Sequence, residues 1–362
     1  MRLSNKQLNI DRVFDRCEDK MMSFFQPILS LDDLRARLKE LPVKDAAAVN
    51  AVRVREPLLT KPPGSLGKLE EIVEWLAGWQ GSYPTRMDTP RVRIFAGNHG
   101  VVSEGVSNYP SEVTTQMVAN FQTGGAAINQ LCEISRAELK VISLELERPT
   151  MNFTKADAMS EEEFVAAFNI GADSFPYETD LLCVGEMGIG NTTAAAAICH
   201  AIFGEQASDW TGPGTGVKGQ GFENKVRVVG DAVSLHKLIC NNGLEVLRCL
   251  GGRELVAIAG ALVAARFGRV PVILDGYVAT AAAAAVFSVS SNALEHCIAS
   301  HVSAEPAHRR LLEKLGKQAL FDFGMRLGEA SGAALAIPIV KAAHTCHAGM
   351  ATFDEAGVSE KG

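Results

Sequence analysis

The chain has 362 residues, of which 47% are hydrophobic and 33 are glycine, and it carries a formal net charge of −7 at pH 7. That length and apolar content are enough for one large core, or for a core with a small satellite. The acidic balance excludes the broad cationic field that duplex nucleic acid or an anionic membrane surface requires, so any phosphate site must be built locally.

The first twenty residues are polar and mixed in charge, with no apolar stretch of the secretory type. Residues 1–28 read as an N-terminal extension, and residues 29–90 as helical. From there on, short β-rich runs alternate with longer Ala-rich helical patterns: RVRIFAG (91–97), LKVISLEL (139–146), DLLCVGE (180–186), PVILDG (271–276) and CIASHVS (297–303). Alternation of this kind predicts parallel strands joined by helical crossovers, and the nearly all-apolar strands predict a sheet covered on both faces. The predicted fold class is therefore α/β, a doubly wound, mostly parallel Rossmann-like sheet with helices on both faces, occupying residues 91–328. Residues 329–362 read as a C-terminal helix and tail that joins 29–90 in a small helical subdomain.

No uncharged apolar run approaches the ~20 residues of a membrane span. Arg253, Glu254 and Arg266 interrupt 251–268, while Pro338 and Lys341 interrupt 331–343. Eight cysteines without a C-x-x-C pair suit reduced thiols and a cytoplasmic location. His344, Cys346 and His347 cluster, as do His296, Cys297 and His301, but neither group has a second ligand pair at fixed spacing, and no metal is expected.

Three of the strands run straight into unusual loops: IFAG into Asn98-His99-Gly100, LLCVG into EMGIGNTT, and VILDG into Tyr277. Ligands of open α/β sheets gather at these carboxyl ends. In the second loop a strand enters a Gly-rich turn that opens a helix, an arrangement that aims backbone N–H groups and the helix dipole at one spot. Gly188 and Gly190 leave room for an anion, and Asn191, Thr192 and Thr193 stand at the helix start. The pattern resembles a P-loop, but Asn191 occupies the Lys position that a triphosphate needs. A monophosphate needs less, and a ligand-free strand-to-helix connection remains an alternative at this level. A second glycine cluster, Trp210-Thr211-Gly212-Pro213-Gly214-Thr215-Gly216, is followed by Lys225. It reads either as a second phosphate loop or as a surface loop.

The stretches KPPGSLGKLE (61–70), GVSNYPSEVTTQMVANFQTGGAAIN (105–129), GEMGIGNTTAAAA (185–197), TGPGTG (211–216), LDGYVATAAA (274–283), HVSAEPAHR (301–309) and FGMRLGEASGAALA (323–336) resemble, in this order, the nicotinate-nucleotide–dimethylbenzimidazole phosphoribosyltransferase family. The resemblance spans about 31 to 350. It implies exchange at the ribose C1 of nicotinate mononucleotide: a benzimidazole base displaces nicotinate, giving α-ribazole 5′-phosphate with inversion, in assembly of the cobalamin lower ligand. It implies no cofactor, no nucleic-acid or membrane partner, and a homodimer. Carried over residue by residue, Glu329 becomes the general base and Glu186 a second active-site carboxylate. Gly188, Gly190, Asn191 and Thr192 hold the phosphate, and Gly214, Lys225, Ser303 and Arg326 the phosphate and carboxylate ends of the nucleotide. Asp275 binds ribose or serves as a structural cap. Ser107, Tyr109 and Gln116 line the base pocket, with Met187 and Leu327 as apolar walls. The chain departs from the family pattern at Asn98, where Asp is usual; the change removes a charge but keeps hydrogen-bonding capacity. Two competing readings are a protein that binds the nucleotide or base without turnover, and a degenerate P-loop phosphotransferase.

Overall fold

A computed structural model describes residues 25–359. The extension expected at residues 1–28 lies outside the described residues up to residue 24. Its last part packs inward: Phe25 meets the rings of Phe168 and Phe267, and Ile28 exchanges two hydrogen bonds with the Asn169 side chain.

Six strands form one sheet: β1 (Pro90–Ala96), β2 (Glu138–Ser143), β3 (Leu181–Met187), β4 (Val272–Leu274), β5 (Cys297–His301) and β6 (Ala319–Phe321). Their spatial order is β2-β1-β3-β4-β5-β6, and every pairing is parallel. The inner strands β3 and β4 are apolar and almost wholly buried, as strands covered on both faces must be, whereas the edge strand β2 alternates. β6 joins the five expected strands as a sixth. Three residues long, it sets no period in the sequence and gains its place by pairing Ala319 and Phe321 with Ala299 and His301.

Thirteen helices of seven residues or more are described. They are α1 (Leu31–Arg37), α2 (Ala46–Arg55), α3 (Lys68–Gln80), α4 (Glu112–Gln122), α5 (Ala127–Ser135), α6 (Glu161–Ala172), α7 (Asn191–Phe203), α8 (Gln220–His236), α9 (Gly243–Leu250), α10 (Arg253–Phe267), α11 (Tyr277–Val289), α12 (Pro306–Lys314) and α13 (Ser331–Gly349). The period-2 alternation of the strands divides them into two layers. Leu182 and Val184 of β3 join the core built with α6 to α12, whereas Leu181 and Cys183 join the core built with α2, α3, α5 and α13. The helices from the two chain ends thus lie on the sheet, with Ala333, Ala334 and Ile337 of α13 in one core with Val92, Ile94 and Ile273. Arg55 ties them together by donating to the carbonyl of Met350 at 3.0 Å, and Leu59 bridges to Thr352. Within the same N-terminal region α1 docks on the other face, with Leu31 and Leu34 in the core that contains Phe164 and Phe168.

α10 passes through the centre of the molecule with charged residues buried at both ends. Arg253 donates to Glu163 at 2.7 Å, and Arg266 donates to Glu295 at 3.0 Å while its guanidinium lies 4.0 Å from the Trp79 ring centre. Pairing of this kind is what lets such groups be buried. No helix among the described residues is long and apolar enough to cross a membrane. The strand order changes direction at β1 and β3, so the loops after these two strands open onto a shared crevice at the carboxyl edge.

Candidate active site

A cavity of about 460 Å³ opens at that edge. Its floor comes from the end of β3 and the turn that follows: Glu186, Met187, Gly188, Ile189, Asn191 and Thr192. One wall is the Ser303–Glu305 loop with Gly214 and Thr215 of the second glycine cluster. The other is the segment Arg326 to Glu329, and Tyr109, Val113 and Met117 close the apolar end.

The segment carrying Glu329 has an unusual backbone. Gly328, Glu329 and Ala330 have φ of 81°, 61° and 59° in succession, and left-handed conformations at two non-glycine residues are costly. Packing enforces them. Ala330 is fully buried against β3 at Gly185, where any side chain would collide with the Ala330 backbone nitrogen. The chain is thereby pressed onto the end of β3 before α13 begins, with Glu329 beside Glu186. Burial first, and then the nearby Asp275 carboxylate, push the Glu329 carboxyl up to about 7. Glu186 is raised well above the usual carboxylate range by burial and by the charges of Asp275, Glu254 and Glu329; the Asn191 amide, which donates to it, pulls the other way. Asp275 is also raised by burial, against the opposing effect of His301 and of backbone N–H groups including that of Ala333 at 3.0 Å. The site thus concentrates acidic groups in a poorly solvated space, where one of them is poised near neutral pH.

The opposite end is cationic. Lys225 is 1% exposed; its Nζ donates to Thr192 Oγ1 at 2.7 Å and to the Gly212 carbonyl at 3.1 Å. Because the Thr192 oxygen accepts from the ammonium, its own O–H is left to donate towards the cavity. Burial lowers Lys225 to about 8, against the pull of Glu305. Arg326 lines the cavity and donates to the Gly214 carbonyl at 3.1 Å. The turn itself is partly self-satisfied: the Ile189 amide bonds Thr114 Oγ1 at 3.2 Å, and the Asn191 amide folds back to the Gly188 carbonyl at 3.1 Å. The Ser303 loop is held by His308, whose Nδ1 accepts from the Ser303 amide at 2.8 Å, so that Nε2 carries the proton given to Thr280. Burial depresses that imidazole to about 3 and keeps it neutral.

Of the residues singled out in the sequence, Glu329, Glu186, Gly188, Asn191, Thr192, Gly214, Ser303, Arg326, Tyr109, Met187 and Leu327 line this one cavity. Lys225 stands directly behind Thr192, and Gly190 caps α7. Asp275 is buried beneath the floor with its carboxylate on the start of α13. Ser107 lies outside the lining, its Oγ accepting from the Tyr109 amide at 3.1 Å. Gln116 is exposed outside the cavity, because on α4 the inward face carries Val113 and Met117, four residues apart. Those two, with Ile189, Tyr277 and Glu305, are lining residues that the motifs did not single out. The i, i+4 spacing of Val113 and Met117 was the available signal for the first pair. Tyr277 donates to the Trp210 carbonyl at 2.7 Å and so ties the second glycine cluster to the loop after β4.

Of the two histidine–cysteine clusters, His301 stands 4.0 Å from Asp275 beneath this site, and the other histidines are engaged elsewhere. His344 bonds the Thr85 hydroxyl, His347 bonds Glu56 and Tyr83, and His296 bonds the Leu262 carbonyl. Among the described residues Asp157, His236 and Cys249 bring possible ligand atoms together; Asp157 is ion-paired to Arg248 at 2.7 Å, and His236 is hydrogen-bonded through Nε2 to the Phe153 carbonyl at 2.8 Å, with Nδ1 3.1 Å from Asp157.

Comparison with known proteins decides the family. The phosphoribosyltransferase family model matches residues 41–358. Nicotinate-nucleotide–dimethylbenzimidazole phosphoribosyltransferase of Methylorubrum extorquens is 54% identical over 92% of this chain and 97% of its own, and that of Ruegeria pomeroyi 56% over 92% and 98%. The chain belongs to this family. The crystal structure of CobT from Thermus thermophilus superposes with a TM-score of 0.81 at 39% identity, covering 87% of this chain and all of that one. A second structure from the same organism, of the phosphoribosyltransferase under its full enzyme name, gives 0.78 at 38%, covering 88% of this chain and all of that one. The α/β fold of this chain is thus that of the solved structures of the family.

Proposed function

We propose that the protein transfers the phosphoribosyl group of nicotinate mononucleotide to 5,6-dimethylbenzimidazole or a related base, releasing nicotinate and α-ribazole 5′-phosphate for the cobalamin lower ligand. The observation that carries this reading is the facing of Glu329 and the Gly188–Thr192 turn across a single cavity. The 5′-phosphate lies at the Thr192–Lys225 end, with Arg326, Gly214 and Ser303 around it. The ribose lies over Glu186, and the aromatic base lies between Met187, Met117, Tyr109 and Leu327. A site of this kind, apolar with a few converging polar groups, suits a flat bicyclic base.

Nicotinate leaves from a pyridinium, so the bond from C1 to nitrogen is already activated. One benzimidazole nitrogen attacks C1 from the face opposite the leaving ring, which inverts the anomeric configuration. The electron pair of the old bond goes to the nicotinate nitrogen, and the proton of the second benzimidazole nitrogen goes to Glu329. A carboxylate poised near 7 is matched to that transfer. Glu186, raised well above the usual carboxylate range by burial and then by its acidic neighbours, hydrogen-bonds a ribose hydroxyl. A homodimer and a cytoplasmic location belong to the same reading and rest on likeness to the family; light scattering of the purified protein tests the former. Incubation with nicotinate mononucleotide and 5,6-dimethylbenzimidazole, with nicotinate followed by chromatography, tests the reaction. Nucleotide binding without nicotinate release would point to a binding protein and overturn it.

A further inference from the structure

The Asn98-His99-Gly100 loop has no part in the chemistry above, yet it holds a wholly buried pair under the phosphate turn. His99 Nε2 and Glu254 Oε1 are hydrogen-bonded at 2.5 Å, and both side chains are inaccessible to solvent. Glu254 stands in the first turn of α10, where the helix dipole favours an anion. Among the described residues, His99 Nδ1 and Glu254 Oε2 have no hydrogen-bond partner. Leaving such atoms unsatisfied is costly, and a pair that persists at that cost calls for a reason beyond packing.

The surrounding backbone shows what the pair touches. A Cβ on Gly188 would stand 2.6 Å from the Gly97 carbonyl, 3.3 Å from Glu254 Oε1 and 3.4 Å from His99 Nε2. A Cβ on Gly97 would come 2.5 Å from Glu254 Oε2, and one on Gly252 would overlap the imidazole itself. The Cβ of His99 lies 3.3 Å from the Cβ position of Gly190. Strand end, turn and helix start have thus all been reduced to glycine around one imidazole and one carboxylate, which support the turn from the side opposite the cavity.

We propose that His99 and Glu254 are positioning residues that fix the Gly188–Gly190 turn at the height at which it receives the nucleotide's phosphoribosyl group. The inference rests on the proposed reaction, since it takes the turn as the nucleotide seat. Losing the support lets the turn sink away from the cavity, and a misplacement of about 1 Å at such a seat is costly in binding and rate. Of the base pocket, Tyr109, Met117 and Leu327 stand on segments apart from the pair, and only Met187 adjoins the turn.

The test is steady-state kinetics of the full chain, with the two substrates varied separately. His99→Ala and Glu254→Ala raise KM for nicotinate mononucleotide tenfold or more while KM for 5,6-dimethylbenzimidazole moves less than twofold, and the folded state persists at the assay temperature. Glu254→Gln, which keeps an acceptor for the imidazole, restores nucleotide KM to within threefold of wild type. Unchanged nucleotide KM in both alanine variants overturns the proposal. Equal rises in both KM values, or loss of folding in both alanine variants, overturn it as well, because the pair then serves the fold alone. A wild-type protein that releases no nicotinate would sink the reaction instead. The pair is then read from calorimetric binding of nicotinate mononucleotide, where equal affinity of wild type and both alanine variants overturns it.

Discussion

Glu329 at about 7 and Lys225 at about 8 make the free enzyme pH-sensitive from both sides. Below its pKa Glu329 is protonated and cannot accept the azole proton, so kcat/KM climbs as pH rises through about 7. Above about 8 the ammonium of Lys225 is lost and the phosphate end weakens, so kcat/KM falls again. A narrow bell is therefore expected when kcat/KM for nicotinate mononucleotide is measured from pH 5.5 to 9.5. Glu329→Gln lowers kcat by ~10²-fold or more, the usual range for a lost general base, and removes the acidic limb. Full turnover with the limb intact would remove Glu329 from the chemistry. Lys225→Ala acts on the other end: KM for the nucleotide rises by roughly tenfold to a hundredfold, as expected for one charge-assisted hydrogen bond, and the alkaline limb flattens. The glycine turn, Glu186 and Asp275 are legible from residue types because they fall at the ends of β3 and β4, whereas Glu329 and Lys225 are assigned a role only by the family resemblance. The left-handed backbone at Glu329 and Ala330 is not legible, since neither residue type announces it; packing against Gly185 imposes it.

That packing makes β3 and the start of α13 a single mechanical element. Gly185→Ala places a methyl group against the Ala330 backbone and forces the 328–330 segment off the strand. Overpacking at a buried site costs about 1–3 kcal/mol, so the thermal midpoint should fall. Because Glu329 moves with the segment, kcat should fall further than the loss of stability alone would cause. A variant with lowered midpoint and wild-type kcat would show that the segment's seat and the base's position are independent. Five strands are readable in the sequence because β-branched and apolar runs between helical patterns set a clear period, and β3 is found within one residue of its expected span. β6 escapes because its three residues carry no period and pair only once β5 is in place. Gln116 illustrates a different limit. A motif gives residue order, but the rotation of α4 decides that Val113 and Met117 face inward while Gln116 does not.

At the scale of the whole molecule, α13 carries the last expected segment onto the centre of the sheet and closes the core begun by α2 and α3. With α2, α3 and α13 in one layer and α1 packed on the other face of the same sheet, thermal unfolding should be a single cooperative transition with equal calorimetric and van't Hoff enthalpies; two resolved transitions would mean that the terminal helices unfold as a separate subdomain. The acidic site also has a cost to that folded state. A carboxyl raised from 4.5 to about 7 holds its proton in the folded protein while the unfolded chain has already released it. Its stabilising share is complete below about pH 4.5 and is lost as pH rises through about 7. The buried His296 and His308 and the half-buried His344, all lowered, work in the opposite direction over part of this range and mask the share of a single carboxyl. The difference between wild type and Glu329→Gln isolates that share, because glutamine mimics the protonated acid at every pH. The two should be close in stability at pH 5, and by pH 8 the variant should be the more stable by an amount on the order of 3 kcal/mol. Denaturant titrations at the two pH values measure it. A gap that does not widen would mean that Glu329 ionises freely in the folded protein, and the matched base that the transfer reaction needs would be absent.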